Sequence, residues 1–246
     1  MPGSSALLVG TPTIRMGGLA KSVENPLVGT EVNFQDLFWG GGTAVLAKTA
    51  AALAVFSLVT LTHAYNSSTK RWELIATAVP NTANLGTPVG ICMDKATTAD
   101  QYVWVKVRGL CPVNSAAAVA ANTAFGIVAA GQGGAVSAGK QVLGARIVAA
   151  SSTTVAKTNC VGRSGSYEIQ VKDSDGWFVG AYLSGTGVGS GAVITAIDAT
   201  GTKVTVSAAN SATISGTVTA TYNNGTVFFN IASLDRPHMQ GQDATS

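Results

Sequence analysis

The chain has 246 residues, of which 46% are hydrophobic and only 11% charged, with a formal net charge of +3 and a mean hydropathy of +0.31. That much apolar content excludes a disordered chain, and fifteen Lys and Arg spread along it make too thin a charge for a nucleic-acid footprint. Two His and twelve acids are a sparse stock for an enzyme of this size.

Glu occurs at positions 24, 31, 73 and 168 only, which argues against long exposed helices, whose polar faces are built from Glu, Lys, Gln and Arg. The polar surface must come from Ser, Thr, Asn and Gly, residues of strands and turns. The expected class is therefore all-β, a small barrel or sandwich with a neutral surface.

Residues 1–40 are rich in Gly, Pro and Asn, lack a sustained period, and read as an extended arm. They have no basic region followed by a long apolar stretch, so a secretory signal is not expected. The arm ends in Phe34, Leu37, Phe38 and Trp39 ahead of Gly40-Gly41-Gly42. Such a cluster docks either on its own domain or on a partner, and these four are the candidate partner-binding residues.

Residues 44–54 fit a short helix or a buried strand equally well. The apolar run from Ala44 to Leu61 is broken by Lys48, Thr49, Ser57 and Thr60, which excludes a membrane span. Val55–Thr62 reads as a strand, Asn66–Lys70 as a turn and Arg71–Val79 as the returning strand. Strands are also expected at Pro88–Met93, Gln101–Leu110, Ala124–Ala130 and Gln141–Ala149. In the second of these Tyr102, Trp104, Lys106 and Arg108 alternate with Val103, Val105 and Val107. Lys106 and Arg108 are expected to lie over the aromatic rings on a solvated face.

Residues 161–222 form a run of hairpins with almost no charge, and the apolar strand Thr226–Ala232 resembles the first region more than its neighbours. The expected organisation is an arm (1–40), a main β-domain (41–160 plus 223–236), an inserted β-subdomain (161–222) and a mobile tail (237–246).

None of the chemistry-bearing motifs has its required context. Gly134–Gln141 is one residue short of a phosphate-binding loop, with Gln141 in place of Ser or Thr and a strand where a helix is needed. Gly185–Gly191 has alternating glycines without a βαβ setting. Asp173 and Asp175 are more simply a turn than a calcium site. His63 and His238 have no argued nucleophile, and no G-x-S-x-G elbow is present. The odd set Cys92, Cys111 and Cys160 contains no CxxC and signals neither disulfides nor zinc, but buried thiols of a chain made in a reducing cytosol. No enzymatic activity, cofactor or metal is expected.

Three segments carry a resemblance: Gly86-Thr87-Pro88-Val89-Gly90-Ile91-Cys92, Val105–Val113 with its Val-Lys-Val-Arg-Gly order, and Ala138-Gly139-Lys140-Gln141-Val142-Leu143-Gly144-Ala145. Together with Ala44–Ala50 they resemble the capsid decoration (cement) proteins of tailed bacteriophages, over roughly residues 40–160. Residues 161–222 resemble small β-modules of phage virion proteins. The resemblance implies a structural protein, made in the host cytoplasm, that binds the major capsid protein on the outer surface of the virion as a homotrimer and stabilises the shell, with no nucleic-acid or membrane partner. The alternative is a trimeric tail-fibre or receptor-binding protein, which would favour the same composition but lacks a repetitive shaft here.

Overall fold

The structure, a computed structural model, describes residues 28–36, 38–223 and 228–241. The chain is all-β as its composition demands: among the described residues there are sixteen strands in two sheets and no helix.

The first sheet contains β1 (Glu31–Asp36), β2 (Gly40–Thr49), β3 (Leu58–Asn66), β4 (Arg71–Ala78), β5 (Val89–Cys92), β6 (Tyr102–Ser115), β7 (Ala124–Ala129), β8 (Gln132–Gly134), β9 (Gln141–Ala149) and the last strand, β16 (Phe228–Met239). Their order is β1-β2-β4-β3-β5-β6-β16-β9-β7-β8. An additional antiparallel pairing of β2 with β6, from Gly42↔Gly109 to Lys48↔Tyr102, curls the sheet into a ring-like form that is not closed as a whole. Inside the curl, Leu61, Leu74, Val103, Val105 and Val107 pack together with Ala47 and Val59.

The second sheet, ordered β12-β15-β10-β11-β14-β13, is built from β10 (Thr154–Gly162), β11 (Glu168–Gln170), β12 (Tyr182–Ser184), β13 (Ile194–Ile197), β14 (Lys203–Val206) and β15 (Ile214–Thr221). The chain then returns, and β16 lies between β6 and β9.

The two sheets share one core. Phe178 stands at its centre, with ring centroids 4.9 Å from Tyr222, 5.1 Å from Phe56 and 5.3 Å from Phe229. A second tie is polar. Buried Asn230 on β16 accepts from the backbone N–H groups of Val119 and Ser151 and donates to the Ala117 carbonyl, satisfying three backbone groups that no ladder reaches.

Several expectations change. The ambiguous 44–54 segment is strand through Thr49, because β2 has hydrogen-bonding neighbours on both sides. The end of the arm is itself a strand, β1, and Gly40–Gly42 pair with it as the start of β2. Gly42 is required there, since a Cβ would come within 2.8 Å of the Arg108 carbonyl oxygen. Lys106 is fully buried, not solvated. Its Nζ donates to the Leu110 carbonyl at 2.6 Å and lies 4.7 Å from the ring centroid of Phe34, which reaches it from β1 across β2. The second sheet starts at Thr154 rather than 161, since β10 pairs along β15 over most of its length. Residues 237–240, placed in the tail, are ordered into the sheet: β16 continues to Met239, and Gln240 donates to the Gln141 carbonyl. Residues 242–246 lie outside the described residues.

Candidate functional site

The β3–β4 hairpin projects from the first sheet, and its turn is fixed locally. Asn66 Oδ1 accepts from the backbone N–H groups of Ser68 and Thr69, and Lys70 takes φ +57°. Glu73 pins the outer face of the hairpin, accepting from Asn66 Nδ2 at 3.0 Å and Lys48 Nζ at 3.3 Å, while Lys48 also meets Asp100 at 2.9 Å. Hydrogen bonding to Asp100 holds the Lys48 ammonium above its ordinary pKa. Glu73 lies below its own ordinary value, the hydrogen bonds from Asn66 and Lys48 outweighing burial.

The other face of the hairpin is apolar except for His63. Register pairs Leu61 with Ala76, His63 with Leu74 and Tyr65 with Trp72, and the period of two puts all six side chains on one face. That face starts in the core and runs outward to an exposed end. Leu61 and Leu74 are buried, whereas Tyr65 is 53% exposed and Trp72 69%, their rings 5.7 Å apart at 60°.

Between these two conditions lies a groove of about 410 Å³. Its floor is formed by Val45, Leu61, Leu74, Val89 and Val107, and its rim carries His63, Arg236 and His238. The last two arrive by an irregularity in β16. Leu234 pairs with Ala145 and His238 with Leu143, so three residues of β16 stand opposite Gly144 alone. Arg236 takes φ +45° and Gly144 φ +72°, and a Cβ on Gly144 would come within 2.5 Å of the Asp235 carbonyl. Bulges of this kind re-aim side chains. Here the bulge brings Arg236 and His238 to the mouth of the curl opposite His63. Arg236 also pairs with Glu31 of β1 at 2.8 Å, an ion pair exposed on both sides.

The arm residues have other places. Phe34 and Trp39 are buried within the chain: Phe34 lies beside Trp104 and Lys106, and Trp39 lies 6.2 Å from both Phe178 and Tyr222. Phe38 leans on the Gly176 turn of the second sheet and keeps 44% exposure. Leu37 lies outside the described residues. Of the four, Phe38 alone is described with substantial surface open to a partner.

The motifs weighed for chemistry are turns and loops. Gly134 and Gln141 end and begin strands, and Lys140 Nζ donates to Asn81 Oδ1 at 2.9 Å. Asp173 accepts from Lys157 and from the Asp175 backbone N–H. Gly185 and Gly187 belong to the loop between β12 and β13. The three cysteines are buried thiols, and burial pushes the Cys160 thiol up. Among the described residues no three His, Cys, Asp or Glu side chains stand close enough together to hold a metal ion.

Sequence reasoning missed Tyr65, Trp72 and Arg236 as a group with the two histidines. The available signal was the alternation Leu61, His63, Tyr65 facing Trp72 across a short turn, where the inward-facing series ends in aromatics. Comparison with protein families, with curated proteins and with solved structures finds no match for this chain.

Proposed function

We propose that the chain is a non-catalytic structural protein that binds the outer surface of an assembled tailed-phage capsid as a homotrimer and stabilises it. The observation that carries this reading is the uncovered aromatic pair Tyr65–Trp72, continuous with an apolar groove, on a charge-poor all-β chain. A large exposed apolar patch rimmed by polar groups marks a surface that meets another molecule. The resemblance of residues 40–160 to decoration proteins supplies the partner. A ligand that binds the assembled shell and not its separated subunits stabilises the shell by mass action, and many copies multiply a modest gain per site.

Light scattering on the purified chain, followed by sedimentation with empty phage shells, tests the reading. A trimer that co-sediments at near-stoichiometric occupancy is the expected result. A trimer that ignores shells overturns it in favour of a tail-fibre or receptor-binding role.

A further inference from the structure

We propose that the groove at the mouth of the curl receives an acidic, apolar-anchored segment of the shell protein. One aliphatic or aromatic side chain fills the space above Leu61, Leu74 and Val107, and an adjoining carboxylate is taken up by Arg236 with His63 and His238. This rests on the capsid-binding reading and specifies the contact through which it acts.

Three features of the groove select that occupant. Its volume, about 410 Å³, lies near the lower end of the roughly 300–1,000 Å³ span of ligand pockets, suited to one anchoring side chain. Tyr65 and Trp72 continue the same hairpin face beyond the groove, so an incoming chain meets further aromatic surface on that side of its anchor. Among the described residues, the ionisable groups that line the groove are Arg236, His63 and His238, all nitrogen bases, and no described carboxylate lines it.

The carboxylate that Arg236 does meet, Glu31, belongs to β1 and is not part of the lining. An exposed pair of this kind is weak and exchangeable, whereas a guanidinium meeting a carboxylate at the edge of an apolar floor forms a stronger charge-assisted contact. Glu31 thus competes with the partner's carboxylate for the Arg236 guanidinium. The bulge in β16, with Arg236 at φ +45° and Gly144 at φ +72°, is the local irregularity that directs the guanidinium to this position.

The test uses the full chain and two terminally blocked peptides, acetyl-Gly-Trp-Glu-Gly-amide and its Gln counterpart, titrated by NMR. The Glu peptide is expected to shift the Trp72, His63 and His238 ring signals and to bind about tenfold tighter than the Gln peptide. Arg236→Gln should erase that difference. Glu31→Gln, which removes the competing carboxylate, should tighten binding of the Glu peptide, a gain that misfolding cannot produce. Equal binding of the two peptides, shifts confined to another surface, or weaker binding by Glu31→Gln overturns the inference.

Sedimentation with shells separates this inference from the capsid reading. Wild-type chain that binds shells together with Arg236→Gln chain that binds them equally well overturns the inference and leaves the capsid role. Peptide discrimination without any shell binding overturns the capsid role and leaves the chemistry of the groove. Self-association through the groove that Trp72→Ser abolishes, or displacement of the peptide by a neutral oligosaccharide, assigns the groove to a second copy or to a glycan and overturns the inference.

Discussion

At the junction of the two sheets, Phe178 meets Tyr222 at 4.9 Å and both rings are buried; at the end of the β3–β4 hairpin, Tyr65 meets Trp72 at 5.7 Å and more than half of each residue is exposed. The pairwise ring geometry is similar, so the local contact does not distinguish the two regions. The difference lies in the next layer. Around Phe178 that layer is complete, with Trp39, Phe56 and Phe229 arriving from three other segments. Over Trp72 none of the described segments arrives. The same residue chemistry therefore closes one region upon itself and leaves the other open, and only the first should govern stability.

The sharpest way to break that contrast is to delete one aromatic from each region. Phe178→Ala should cost about 3–5 kcal/mol, read as a lowered denaturant midpoint, with both sheets loosening because they share this ring. Next comes the polar tie. Asn230→Leu strands the amides of Val119 and Ser151 and the Ala117 carbonyl, and should cost about 3 kcal/mol in the same measurement. Gly144→Ala forces a Cβ against the Asp235 carbonyl at positive φ and should cost about 2 kcal/mol. On the capsid-binding proposal, it should also reduce co-sedimentation with shells by flattening the bulge that carries Arg236. Trp72→Ser, at the open end, should change stability by no more than about 0.5 kcal/mol while reducing co-sedimentation with shells. A large loss of stability in Trp72→Ser would show that the hairpin end belongs to the core after all.

A pH series sharpens the contrast further. Burial raises the Tyr222 phenol and the Cys160 thiol, and hydrogen bonding to Asp100 raises Lys48. In each case the unfolded chain loses its proton before the folded one does. Stability should therefore fall as pH rises from about 9 upward. Glu73, held below its ordinary value, contributes stability above about pH 4.5 that is lost as pH falls through its folded value. Thermal unfolding across pH 4–11 should show a steeper alkaline limb, and Tyr222→Phe should make that limb shallower.

Much of the first sheet is written in local pattern. The alternation of Tyr102–Arg108 is the face-to-face alternation of β6, and the turn at Asn66–Lys70 is closed by the Asn66 side chain that suggests it. What pattern could not convey is which face another strand covers. Lys106 is buried with the Phe34 ring of β1 against its ammonium, and no property of the Val-Lys-Val-Arg stretch itself specifies that contact. The groove was hidden for the same reason. His63 and Arg236 lie far apart in sequence and meet only through the curl of β2 onto β6 and the bulge opposite Gly144. The arm aromatics were visible as a cluster, yet whether they face their own chain or another depends on the second sheet, against which Phe38 and Trp39 rest.

The position of β16 between β6 and β9 also sets an order for biosynthesis. While the ribosome translates residues 154–222, β6 and β9 have no strand between them, and their inner edges stay open until residues 228–239 emerge. Contacts of such long sequence separation form slowly, so the six-stranded sheet can fold first on the nascent chain and the ten-stranded one must wait. Open strand edges during that interval favour pairing with other chains. Slower translation before residue 228 should therefore raise the aggregated fraction without any change in the stability of the finished protein.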